Sequence, residues 1–191
     1  LLKDIPNARL INQENAGVAV ARNNGVAQAK GDFVCFLDAD DRWDVSFLQE
    51  MQQFIKDYPE AGIWGTNYWY VKKGKTHIAV PSETGYINYP KLYAETSAMP
   101  IWTGAVCMTK KMFFENCGFP QGIKLGEDFL LWTRIALYNK VAFLNKAVAY
   151  YNNDIPASLR ATRNLHAPEF HMLFKMQYLE GVVENENSVI E

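Results

Sequence analysis

The sequence has no apolar run near the ~20 residues that span a bilayer, which excludes a membrane-crossing helix within its 191 residues. Cysteine is scarce: Cys35, Cys107 and Cys117 are odd in number and form no C-x-x-C pair. They read as buried free thiols in a reducing cytosol. A catalytic cysteine would want a histidine partner, and His77, His166 and His171 lie in polar or C-terminal contexts. Neither glycine (12) nor proline (8) is in excess, which excludes collagen-like and disordered classes. Neither sign of charge dominates, with 19 basic against 21 acidic residues, so nothing draws the chain to nucleic acid. What is present is apolar material, 49% hydrophobic and 14% aromatic, enough for one packed domain, with or without an appendage. The opening Leu1-Leu2-Lys3-Asp4 has no initiator Met and reads as a start inside a larger unit.

Periodicity predicts an α/β order. Residues 8–12 form a short apolar run that predicts a strand. Asn15 offers an N-cap, and Val18, Ala21, Val26 and Ala29 recur at helical spacing up to Lys30, with Gly31 as the stop. The near-continuous apolar run 32–37 predicts a buried parallel strand, so the first forty residues read as a βαβ unit. A helix bearing Phe47, Leu48, Met51, Phe54 and Ile55 follows, then a Trp- and Tyr-rich strand over 61–71. Gly74 and the stretch 81–85 punctuate a polar loop region. Strands are expected over 103–109 and 141–151, and helices over 110–116 and 127–138. A long amphipathic helix over 165–184 turns Phe170, Leu173, Met176 and Leu179 inward. It is acidic, with Glu169, Glu180, Glu184 and Glu186, which favours packing or a subunit interface over anchoring on anionic lipid.

Two acidic clusters carry the chemistry. Asp38, Asp40 and Asp41 stand where an apolar strand ends, and open α/β sheets bind ligands at the carboxyl ends of strands. Arg42 alone cannot neutralise three carboxylates, whereas a hard divalent cation can. Mg²⁺ typically takes one or two protein carboxylates and completes its shell with water and substrate phosphates, which points to a metal–diphosphate site. The bland alternative is a solvated acidic turn with one Asp as N-cap. Glu127 and Asp128 open a helix, where the helix dipole favours acidic side chains. They read either as capping carboxylates or, for Asp128, as a general base.

The run Asn15-Ala16-Gly17-Val18-Ala19-Val20-Ala21-Arg22-Asn23-Asn24-Gly25, then Ala29-Lys30-Gly31-Asp32-Phe33 and Leu37-Asp38-Ala39-Asp40-Asp41-Arg42-Trp43, resembles family 2 glycosyltransferases of the GT-A fold. The later Gly118-Phe119-Pro120 and Gly126-Glu127-Asp128-Phe129-Leu130-Leu131-Trp132-Thr133-Arg134 resemble the same family. The resemblance implies a Rossmann-like mixed sheet flanked by helices, and inverting transfer of a sugar from a nucleotide donor to an acceptor hydroxyl. It implies Mn²⁺ or Mg²⁺ on Asp40, with Asp38 toward the ribose or the metal's water shell and Asp41 as a helper. It implies Asp128 as the base, with Glu127 shaping the acceptor pocket. Arg22 and Asn23 match the stretch near the nucleotide. Trp102 could stack on an acceptor sugar or simply pack.

By the same resemblance, residues 1–155 are a catalytic domain without its opening strands and uracil-binding Asp. Residues 1–71 form the nucleotide and metal side, residues 72–155 the acceptor side, and residues 156–191 a helical extension. The chain alone is then expected to bind UDP-sugars poorly and to be inactive. The expected partners are a UDP-sugar and a saccharide or lipid-linked acceptor, with homo-oligomers or peripheral membrane association, in the cytoplasm or at the inner face of a membrane. Polysaccharide or glycolipid synthesis is the implied setting. Two other readings stand beside it. One is a haloacid dehalogenase-like phosphatase with Asp38 as nucleophile and Asp40 as acid/base. The other is a non-catalytic module binding a carbohydrate or partner through Trp64, Tyr68, Trp69 and Tyr70.

Overall fold

The two longest strands of the structure are the central ones of its sheet. The computed structural model describes residues 7–154 apart from Ser97 and Lys124, so the helix expected over 165–184 lies outside the described residues. In chain order the first elements are α1 (Val18–Gln28), β1 (Phe33–Cys35), β2 (Arg42–Trp43), α2 (Phe47–Asp57), β3 (Ala61–Lys72) and β4 (Lys75–Ile78). They are followed by β5 (Gly85–Ile87), α3 (Tyr89–Thr96), a 3-10 turn (Thr103–Ala105), β6 (Val106–Thr109), α4 (Lys110–Glu115), α5 (Glu127–Tyr138) and β7 (Lys140–Asn152).

The strands form one mixed sheet in the order β1-β6-β3-β7-β2. The long β3 and β7 lie parallel at its centre, and every other pairing is antiparallel. The first half of β3 pairs with β6 and its second half with β4. On β7, β5 takes the first half and β2 the second.

Register explains why both faces of this sheet are buried. Val34, Met108, Ile63 and Val141 line up across β1, β6, β3 and β7. The adjacent row is Cys35, Cys107, Trp64 and Ala142. Successive residues of a strand face opposite ways. The first row therefore joins a core with Ala19 and Val26 of α1, Phe113 of α4, and Leu131 and Ile135 of α5. The second joins Phe47, Met51 and Phe54 of α2.

Several expectations change. Residues 8–12 pair with no strand and are largely exposed, so no ladder satisfies their backbone and they form no strand. The βαβ reading fails with them: β1 is three residues long and pairs antiparallel with β6. Phe33 and Leu37, at the ends of that apolar run, are exposed. Helix α1 starts after Gly17, whose positive φ is 89°, and stops at Gln28. Asn15 caps nothing in α1; its side chain accepts from Gly17 N–H. Cys117 is exposed rather than buried. Residues 103–105 form a 3-10 turn before β6 rather than strand. The polar region after Gly74 contains β4, β5 and α3; Lys73 and Gly74, at φ 52° and 68°, make the two-residue hairpin turn into β4. Trp64 is buried in the core, which removes it from any exposed carbohydrate-binding surface.

Asn67 is the buried polar residue that this sheet needs. It lies where the β3–β7 register shifts, leaving backbone groups off the ladder. Its Nδ2 donates to Val80 O (2.8 Å) and Asn145 Oδ1 (2.9 Å), and its Oδ1 accepts from Tyr68 N–H (3.0 Å) and Val80 N–H (3.1 Å). Asn67→Leu keeps the volume but strands two buried donors, each costing about 1–3 kcal/mol. Urea unfolding of this variant should show a lower midpoint at unchanged slope.

Candidate active site

The segment after β1 turns sharply, with Asp41 N–H donating to Asp38 O at 3.1 Å. Asp41 Oδ1 accepts from Asn152 N–H at the end of β7 (2.9 Å), which anchors the turn across the sheet. Asp40 is left exposed at the tip. Gly126, at φ 83°, swings the chain into α5, so that Glu127 and Asp128 fall in the first helical turn. Asp128 Oδ1 accepts from Phe129 N–H (2.7 Å) and Oδ2 from the Thr103 hydroxyl (2.8 Å).

Arg22 of α1 joins the two clusters. Its Nη2 donates to both oxygens of Asp38 at 2.8 Å, and its Nη1 to Glu127 Oε1 at 2.9 Å. The side chains of Arg22 and Glu127 are 12% and 9% exposed, so this second contact is nearly dry. Burial disfavours the guanidinium charge, but Asp38, then Glu127 and Asp128, outweigh it and raise Arg22 above its ordinary value. Burial and the neighbouring Asp128 push Glu127 above the usual carboxylate range, against the pull of Arg22. Asp41 is pushed up to about 7 by burial, reinforced by Asp40 and Asp38 and opposed by the Asn152 N–H.

A cleft of about 680 Å³ opens beside the clusters. Asp38, Asp40, Arg22, Glu127, Asp128 and Thr103 all line it. Much of the remaining wall is aromatic: Tyr68, Tyr70, Tyr93, Trp102, Phe129 and Tyr151. That size and mixture suit a small-molecule site. Four of its lining residues are acidic, against Arg22 as the arginine, so the wall carries surplus negative charge. No closed cage of three or more His, Cys, Asp or Glu exists among the described residues. Asp40 offers the cleft one exposed carboxylate, a hard oxygen donor of the kind Mg²⁺ or Mn²⁺ takes singly or in pairs.

Most of the residues expected at the site come together here. Asn23 does not. Its amide donates to Phe119 O (2.8 Å) and accepts from Phe119 N–H (3.0 Å), clamping the loop after α4 instead of facing the cleft. Trp102 lines the cleft yet is largely buried, packed on Tyr68 and Tyr151 at centroid distances of 4.6 and 5.2 Å. It is wall as well as surface. Sequence reasoning missed Thr103, which no motif marks, and Tyr93, which stands on the unforeseen α3.

Comparison with known proteins converges on one family. The model of glycosyl transferase family 2 matches residues 1–117, which include the Asp38–Asp41 cluster but stop short of Glu127 and Asp128. Glycosyltransferase GlyA of Streptococcus pneumoniae is 32% identical over 153 residues, covering 74% of this chain and 22% of that protein. The Escherichia coli UDP-Glc:alpha-D-GlcNAc-diphosphoundecaprenol beta-1,3-glucosyltransferase WfaP is 28% identical over 141 residues, covering 71% and 52%. The crystal structure of S. aureus TarS 1–349 in complex with UDP-GlcNAc superposes with TM-score 0.61 at 21% identity, over 74% of this chain and 40% of that one. It shares the mixed α/β fold. GlyA and a Rickettsia felis glycosyltransferase are long relatives, of which this chain spans 22% and 23%.

Removing the bridging cation tests the electrostatics. Arg22→Met leaves Glu127 buried without its partner, at a cost of about 3 kcal/mol. Glu127 then rises further above its unfolded value. The cost of such a carboxyl builds as pH rises from its unfolded pKa toward its raised folded pKa and is absent at low pH, where both states are protonated. Thermal melts should show a larger loss for Arg22→Met at pH 8 than at pH 5.

Proposed function

The chain belongs to glycosyl transferase family 2, and from that premise we propose that it transfers a sugar from a nucleoside-diphosphate donor to an acceptor hydroxyl. The observation that carries this reading is that Asp40 and Asp128 line the same cleft. Inverting transfer needs a carboxylate base and a diphosphate site within reach of one sugar.

In this reading the acceptor hydroxyl attacks the anomeric carbon. Its oxygen forms the new bond, its proton passes to Asp128, and the nucleoside diphosphate departs with the electrons of the old bond. A divalent cation, Mn²⁺ or Mg²⁺, neutralises the charge developing on that leaving group when bound. Asp40 presents a carboxylate to the cleft. Arg22 keeps Asp38 facing it and gives local positive charge. Glu127 stays on Arg22, which leaves Asp128 as the carboxylate available for the proton. The aromatic wall, with Tyr93, Phe129 and Trp102, supplies flat apolar faces against which a sugar ring packs.

UDP is the favoured carrier, since TarS is bound to UDP-GlcNAc and WfaP is named for UDP-Glc. The WfaP acceptor is a diphosphoundecaprenol-linked sugar, which supports a lipid-linked or polysaccharide acceptor here and work beside a membrane. No helix among the described residues is long and apolar enough to cross one. The phosphatase alternative fits the geometry poorly: both oxygens of Asp38 accept from Arg22, which blunts it as a nucleophile.

The test is UDP release by the intact protein from UDP-Glc and UDP-GlcNAc, with Mn²⁺ and a panel of saccharide and GlcNAc-diphospholipid acceptors. Asp40→Asn and Asp128→Asn should each lower kcat about 100-fold or more. Near-normal turnover in Asp128→Asn would refute the base assignment. Phosphate release from a phosphomonoester in place of UDP release would restore the phosphatase reading.

A further inference from the structure

A carboxylate base works only when a free lone pair points at the hydroxyl it deprotonates, and that demands a fixed rotamer. Asp128 is half-buried at the cleft and has no ion pair among the described residues. What orients it is a pair of hydrogen bonds. Oδ1 takes the N–H of Phe129 from its own helix, and Oδ2 takes the hydroxyl of Thr103 from the 3-10 turn before β6 (2.8 Å). The first bond moves with the helix. The second comes from a different element, and that element is held rigidly.

Thr103 is 1% exposed, and among the described residues Asp128 is the partner of its hydroxyl. The turn that carries it is closed by Ala105 N–H on Trp102 O (2.9 Å). The Trp102 indole folds back over Gly104 so tightly that a Cβ there would lie 2.4 Å from the ring. The indole N–H of Trp43 in β2 donates to Gly104 O at 2.7 Å. Trp43 stands two residues after Asp41, so the turn is tied to the strand beside the donor-side carboxylates.

We propose that Thr103 is a positioning residue for Asp128, holding its carboxylate toward the acceptor in both protonation states. The proposal rests on the reading of Asp128 as the base. A hydroxyl suits both states because it both donates and accepts. It donates to the ionised carboxylate before transfer. Once Asp128 has taken the acceptor's proton, the hydroxyl rotates and its oxygen accepts from the new carboxylic O–H. Valine has the same shape and can do neither, whereas serine keeps both.

Steady-state kinetics of the intact protein, with UDP-Glc or UDP-GlcNAc as donor, tests this. Thr103→Val should lower kcat about 10- to 100-fold with the donor KM unchanged. Thr103→Ser should recover most of the loss. Thr103→Val placed on Asp128→Asn should cost nothing more, since there is no longer a base to position. Thr103→Ala serves the same purpose if the valine protein fails to fold. A fully active Thr103→Val beside an inactive Asp128→Asn overturns this proposal alone. So does a serine variant as impaired as the valine variant, or losses that multiply in the double variant. A fully active Asp128→Asn overturns the base assignment and this proposal with it.

Discussion

The guanidinium of Arg22 is the constraint on which the site depends. It reaches from α1 to Asp38 after β1 and to Glu127 at the start of α5, elements far apart in the chain. A buried ion pair contributes little net stability once desolvation is counted. Its value here is geometric: planar donors in a rigid fork permit few arrangements of two carboxylates. The neighbouring Asn23 adds a second tie from the same helix, gripping the backbone of Phe119. One short helix thereby sets the positions of the donor-side turn, the loop after α4 and the opening of α5.

The sheet supplies the platform for these ties. Its central rows bury side chains on both faces, so β3 and β7 cannot slip by one residue without turning each row to the wrong core. Asp41 accepting from Asn152 joins the acidic turn to β7, and Trp43 joins β2 to the turn holding Thr103. The carboxylates thus rest on an anchored turn and a helix terminus rather than on free loops.

Much of this was legible in the residues, and the misses have physical causes. β3, β7 and α5 were readable because long apolar runs or 3.6-residue spacing over several turns leave few alternatives. β1 was misjudged because a continuous apolar run does not say which neighbour a strand takes, and Phe33 and Leu37 are exposed. The segment 8–12 has strand-like composition but no partner. β4, β5 and α3 were missed because they are short and polar and are kept in place by pairing and packing rather than by propensity. At the site, motif register marked Asp38, Asp40, Glu127 and Asp128, which line one cleft. It also marked Asn23, whose side chain turns to Phe119 instead, since neighbouring side chains on a helix point about 100° apart. Thr103 was invisible because its role exists only through a contact 25 residues away in sequence.

Two independent routes now connect the acidic clusters. One is a pair of ion pairs, Asp38 to Arg22 to Glu127; the other runs through hydrogen bonds and packing with no cationic group, Trp43 to Gly104 to Thr103 to Asp128. They end on adjacent residues of one helical turn. This division has a chemical consequence. On the proposed reading, a diphosphate in the cleft would compete for the same guanidinium that Asp38 and Glu127 share. The Thr103 bond to Asp128 involves no cation that such a ligand could draw away. Donor arrival would then disturb the Glu127 contact more directly than the Thr103 contact. A base that must stay aimed while a highly charged ligand binds and leaves is better held by a buried hydroxyl than by an ion pair.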